Sequence, residues 1–207
     1  MKNIFTLSAG LVLLAGMGLA FGATPAKTAG AAAPAVTKED VKVNEFKDIL
    51  FKLVRQDEYL DEAIETLDSS NGKMNLQDIS AMSVSLKTIA NNLKHVSALN
   101  KSEFSSIQPG SPLATYTNTI LSYSRKVNRK AGEVNTLVAQ LAVKNKKATM
   151  RDAVSSRKGG KKGRGKKISQ MIEEQKAMEE LAAQVKDLRG ASRGLNATSK
   201  WLYIASK

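Results

Sequence analysis

The sequence predicts an all-α protein, an antiparallel up-down four-helix bundle with coiled-coil-like packing. Three observations predict it. Apolar residues recur at alternating spacings of three and four along four long segments, the pattern of helices with one buried stripe each. No stretch sustains period-two alternation with β-branched residues, so no strand is expected. Turn chemistry gathers at Ser69-Ser70-Asn71-Gly72, at Pro109-Gly110 and across 157–167, which leaves short connections between helices that fold back on one another.

The first helix is expected over about 38–68. Thr37 with Glu39-Asp40 reads as its start, because a side-chain oxygen caps free N–H groups and acids sit at the positive end of the dipole. Its seam is Val43, Phe46, Leu50, Leu53, Leu60, Ile64 and Leu67, with Asp57 at the one seam position that is not apolar. The second helix, about 75–100, carries the seam Ile79, Met82, Leu86, Ile89, Leu93 and Val96. Residues 101–111 read as a loop. Pro112 suits the first turn of a third helix over about 112–156, since its missing N–H costs nothing there. That seam runs Leu113, Tyr116, Ile120, Tyr123, Val127, Val134, Leu137 and Leu141, interrupted by Lys130. A fourth helix, about 168–205, starts near Ile168 and uses Met178, Leu181, Val185, Leu188, Leu195 and Leu202. Gly190 and Gly194 soften it, and their spacing suits close helix approach. At 1.5 Å per residue the third and fourth helices would be roughly 67 and 57 Å long, against roughly 46 and 39 Å for the first two. The longer pair is therefore expected to project as a hairpin with its connecting loop at the tip.

Of 207 residues, 32 are Lys or Arg and 19 are Asp or Glu, a formal charge of +13, with one histidine and no cysteine. The absence of Cys excludes disulfides, thiolate metal sites and a Cys nucleophile. One histidine leaves little for a His-rich metal or catalytic site. The start reads as an address: Met1-Lys2-Asn3, an uncharged run from Ile4 to Phe21, then small residues around Gly22. That is the layout of a secretory signal peptide over 1–22, with an uncleaved membrane anchor as the alternative. Residues 23–36, rich in Ala, Pro and Thr, read as a flexible leader, and 37–207 as the bundle domain. The expectation is an exported chain, periplasmic or extracellular.

The charge is not spread evenly. Residues 125–167 hold fifteen cations against Glu133 and Asp152, and the rest of the chain balances. Within it, 157–167 is made of Arg157, Lys158, Lys161, Lys162, Arg164, Lys166, Lys167 and four glycines. Closely packed like charges repel and keep such a segment extended until a polyanion meets it, while Lys and Arg supply point-charge and forked contacts to phosphate or carboxylate. These seven are the candidate polyanion-binding residues, with Lys144, Lys146, Lys147 and Arg151 widening the footprint. Candidate partners are lipid phosphate, lipopolysaccharide or teichoic acid, acidic polysaccharide and extracellular DNA. The expected function is non-enzymatic binding of such polymers or surfaces. The competing expectation is a structural or adaptor protein that assembles with itself or a partner through helix seams or the C-terminal cluster Trp201, Leu202, Tyr203 and Ile204, the basic loop serving only solubility.

Sharper chemistry finds little support. Residues 160–167 nearly fit a phosphate loop, but the closing position is Lys167, where a hydroxyl is needed to hold magnesium. His95, one position before seam residue Val96, lacks the Glu three residues earlier that bundle di-iron sites use. Haem ligation by His95 with Met82 or Met178 is unnecessary, since the seam accounts for both methionines. The carboxylates Asp57, Glu58, Asp61, Glu62 and Glu65 read as an acidic face near the first turn, lying against Lys144–Lys147. No cofactor and no metal are expected.

Overall fold

The computed structural model describes the backbone of residues 38–155 and 164–207 and the side chains of 41–147 and 169–207. The expected signal peptide, the leader and the loop residues Arg157, Lys158, Lys161 and Lys162 lie outside the described residues. Within them the protein is helical, with four helices packed against one another: α1 (Lys38–Ser69), α2 (Leu76–Ser102), α3 (Ala114–Ser155) and α4 (Arg164–Ala205). A single turn of 3-10 helix, Glu103–Ser105, follows α2. That corrects the expectation of a loop from residue 101. Ser106 closes the 3-10 turn, its N–H donating to Glu103 O and its hydroxyl to Glu103 Oε2.

Each boundary has a local cause. Asn71 (φ 50°) and Gly72 (φ 76°) take left-handed backbone and end α1, a conformation that Gly reaches without strain and Asn tolerates. Asn75 then caps α2, its side chain accepting from the Asp78 N–H at 2.8 Å. Gly110 (φ 74°) turns the chain into α3, and its N–H donates to Ser206 O at 3.2 Å, which ties this loop to the end of α4. α4 begins at Arg164, four residues earlier than the periodicity suggested. Lys and Arg are good helix formers and the lone Gly165 costs only about 1 kcal/mol, so a basic composition alone does not make this stretch a loop.

Side-chain pairs fix how the helices lie. Between α1 and α3 the contacts step forward together: Phe46 meets Tyr116, Asp57 and Asp61 meet Lys130, and Asn71 meets Lys144. Between α3 and α4 they step in opposite senses, Thr117 with Ser206, Ser124 with Ser199 and Asn128 with Ser192. α2 and α4 advance together through Ser97–Thr198 and Asn100–Ser199. Packing therefore runs from α1 to α2, α2 to α4, α4 to α3 and back to α1. Two pairs of neighbours, α1/α3 and α2/α4, run in the same direction.

The core is one continuous aliphatic cluster. Every α2 seam residue from Ile79 to Val96 is buried, as are Leu181, Val185, Leu188, Leu195 and Leu202 of α4. In α1 the buried line drifts: Ile49, Gln56 and Ala63 are buried where Leu50, Asp57 and Ile64 were expected, because α1 must face both α2 and α3. Beside the aliphatic core runs a line of hydroxyls. Thr117 and Ser124 on α3 meet Ser206, just past α4, and Ser199 on α4 at 2.7 and 2.6 Å, and buried Asn100 donates to Ser199 Oγ at 2.8 Å.

Candidate polyanion-binding surface

Lys144, Lys146 and Lys147 are exposed on α3, and Arg151 follows on the same helix. Arg164, Lys166 and Lys167 belong to the first turn of α4 and not to the preceding loop. The three are not equivalent on α3. Lys144 lies across the first turn: its Nζ donates to Asn71 O at 3.3 Å, and its methylenes occupy the space a Cβ at Gly72 would need. Lys146 and Lys147 make no ion pair with a described carboxylate. An open depression of about 550 Å³ on α3 is lined by Asn135, Thr136, Ala139, Gln140, Val143, Lys144 and Lys147, so hydroxyl and amide groups lead up to the cations.

The acidic face of α1 does something other than neutralise Lys144–Lys147. Its closest cation is Lys130, whose Nζ sits 2.7 Å from Asp57 Oδ1 and 2.6 Å from Asp61 Oδ2, and donates to Asp57 O at 3.2 Å. Lys130 is 9% exposed. Burial is the largest single influence on its pKa and lowers it, but its hydrogen bonds to the Asp57 and Asp61 carboxylates and the attraction of their charges together outweigh burial and hold the ammonium above its ordinary 10.5. The two residues that interrupt the seams of α1 and α3 are thus each other's partners. Glu58, Glu62 and Glu65 stay exposed. Among the described residues Lys42 is the other cation held above its ordinary value, first by its hydrogen bond to Glu103 and then by that to Glu45, both at 2.8 Å.

Among the described residues no group of three or more His, Asp or Glu side chains is placed to hold a metal ion. His95 is exposed, and Met82 and Met178 are buried in the aliphatic core. No described helix is long and apolar enough to cross a membrane. In the C-terminal cluster Leu202 is buried, whereas Trp201 is 62% and Ile204 48% exposed, because the helical period turns Leu202 to a different face from the one that Trp201 and Ile204 share. Gly190 and Gly194 allow no close approach, since a Cβ at either would meet nothing within 4 Å.

Reasoning from the sequence also missed a set of exposed cations away from the basic stretch: Lys87, Lys94 and Lys101 on α2, and Lys186, Arg193 and Lys200 on α4, with Lys207 just past its end. Their seven-residue spacing was the available signal, since it keeps each set on one side of its helix. Fold and surface together define a class, an all-helical bundle with exposed charge along α2, α3 and α4. Compared with family models, with curated proteins and with solved structures, the chain matches none.

Proposed function

We propose that the protein is a non-enzymatic exported protein, periplasmic or extracellular, that binds anionic polymers or surfaces through the α3/α4 end of an up-down bundle. In this reading α3 and α4 project past the α1/α2 turn and present Arg157, Lys158, Lys161, Lys162, Arg164, Lys166 and Lys167, with Lys144, Lys146, Lys147 and Arg151 beside them. The observation that carries it is the run of eleven cations against one acid, Asp152, in 144–167. Lengths support it: α3 and α4 have 42 residues each, about 63 Å, and Lys144 of α3 is level with the turn that ends α1. Eleven residues of α3 follow that point. The dipole argues the same way. No acid sits in the first turn of α4, where Arg164, Lys166 and Lys167 face the positive end of a long helix, and a bound anion relieves both the dipole and the repulsion among the cations.

A second reading, a structural or adaptor protein that assembles with itself or a partner, is favoured by the exposure of Trp201 and Ile204 near the chain's end. One experiment separates the two. The protein and a variant with the seven cations of 157–167 changed to Gln are titrated with DNA, lipopolysaccharide, acidic polysaccharide and anionic vesicles over a salt series. If all seven contact a DNA duplex, the log–log salt slope is about −6, and the variant loses most of it. Equal, weak binding by both proteins removes the polyanion reading and leaves the assembly reading, which light scattering then tests.

A further inference from the structure

Outside 125–167 the charges of the chain cancel in number, but they do not cancel in space. The exposed acids Glu58, Glu62, Glu65 and Asp68 lie on the second half of α1, and Glu173, Glu179 and Glu180 on the first half of α4. Between Asp78 and Glu103, α2 contains no acid, while Lys87, Lys94 and Lys101 are exposed. Beyond Glu180, α4 contains one acid, Asp187, against exposed Lys186, Arg193 and Lys200, and exposed Lys207 follows the helix. We infer that this far end of the bundle, built by α2, α4 and the exposed Arg125, Lys126 and Arg129 of α3, is a second polyanion-binding surface, so that one molecule bridges two segments of a linear anionic polymer. The inference rests on the polyanion reading above and adds to it a second site and a substrate class.

Geometry brings the three sets together. α2 and α4 are neighbours running the same way, joined by Lys94–Asp187 at 2.7 Å and Ser97–Thr198 at 3.1 Å. Ser124–Ser199 and Asn128–Ser192 hold the 125–129 segment of α3 level with Arg193 and Lys200. Apart from Lys94, none of these cations makes an ion pair with a described carboxylate. Seven-residue steps place successive cations about 10.5 Å apart along a helix, so Lys87 to Lys101 on α2 and Lys186 to Lys200 on α4 each span about 21 Å. Lines of that length suit an extended chain of repeating anions better than a single head group. The two basic regions are also far apart. α4 runs unbroken from Arg164 to Ala205, which separates Lys166 from Lys200 by about 51 Å along its axis. The carboxylates of α1 and of early α4 lie between, a like-charge barrier to one polymer segment running continuously from end to end. Two regions separated in this way engage two segments, and a polymer long enough to offer both is cross-linked.

The test uses three proteins: the parent, the seven-Gln variant of 157–167, and a far-end variant with Lys87→Gln, Lys101→Gln, Lys186→Gln, Arg193→Gln and Lys200→Gln. All five far-end positions are exposed and unpaired with described acids, and thermal melts confirm that the fold is kept. Binding is read by anisotropy on short labelled dextran sulfate, and bridging by light scattering with high-molecular-weight dextran sulfate. The expected result is that all three bind the short chain, while each variant scatters at least tenfold less than the parent at equal bound protein. A far-end variant that scatters like the parent overturns the second site. A parent that binds short chains and never scatters long ones overturns bridging and leaves the polyanion reading standing. A parent that binds neither removes that reading and this inference with it. Sedimentation of the parent alone as a dimer overturns bridging by one molecule, and clustering of phosphatidylglycerol vesicles at lower protein than dextran sulfate overturns the polymer as the substrate class.

Discussion

Two lysines on α3, Lys130 and Lys147, belong to the same basic block and do opposite things. Lys130 is nearly buried, with Asp57 and Asp61 at 2.7 and 2.6 Å. Lys147 is exposed and pairs with no described carboxylate. The first is held by α1 and fixes where α3 lies along it, and the second is free to meet something outside the chain. A sum of charges counts both alike. What separates them is position on the seam: Lys130 interrupts the apolar line of α3 just where Asp57 interrupts that of α1, and two polar residues forced into facing seams stabilise one register over its neighbours.

Breaking that pair is the strongest way to break the contrast. Lys130→Met leaves Asp57, whose side chain is 15% exposed, without its cation, and stranding a buried charge costs about 3 kcal/mol. The double variant Asp57→Leu/Lys130→Met strands nothing and recovers most of the loss, while Lys147→Gln stays within about 0.5 kcal/mol of the parent. Urea denaturation of the four proteins checks this, and a double variant as unstable as Lys130→Met would defeat the pairing argument. The same pair sets a pH dependence. Because the folded pKa of Lys130 lies above its unfolded value of 10.5, its contribution is complete below 10.5 and is lost as pH rises through the raised folded value. Urea midpoints between pH 9 and 12 fall more steeply in the parent than in the double variant.

The hydroxyl line between α3 and α4 sharpens the contrast from the neutral side. Ser199 accepts from Asn100 Nδ2 and shares a hydrogen bond with Ser124. Asn100 Oδ1 is itself buried without a partner. Ser199→Ala therefore leaves the Asn100 amide unbonded in the core, at a cost of about 2 kcal/mol, visible as a lower urea midpoint. Ser97→Ala, in a half-buried pair with Thr198 at 3.1 Å, costs less than half as much.

Much of the fold was legible because helices write their buried face into every turn. The six α2 seam residues are all buried, and α1 and α3 begin and end within two residues of their expected bounds. Which helix covers which face was not legible. A three-four spacing marks a face as buried and is silent on its neighbour, so the parallel pairs α1/α3 and α2/α4 came only with the structure. Exposed charge is legible where cations cluster in sequence, as at Lys144, Lys146 and Lys147, and hard to read where they are dispersed at seven-residue steps, as at Lys87, Lys94 and Lys101. Trp201 misled because four consecutive apolar residues look like a cluster in sequence, whereas on a helix Leu202 points inward and Trp201 outward.

The smallest effect expected is a gain. Gly190 and Gly194 are helical, exposed and surrounded by open space. Neither position shows a positive φ, so a methyl group is accepted without strain and restricts only the unfolded chain. Gly190→Ala and Gly194→Ala should each stabilise the protein by about 0.5–1 kcal/mol, and together raise the thermal midpoint by a few degrees. Their closeness to Arg193 makes the result informative beyond stability. A stiffer α4 that keeps its affinity for anionic polymer shows that the far-end surface works as a rigid face. An affinity that falls while the melting point rises shows that binding there requires the helix to yield at these two glycines, which the exposed pair, unlike locked Lys130, is free to do.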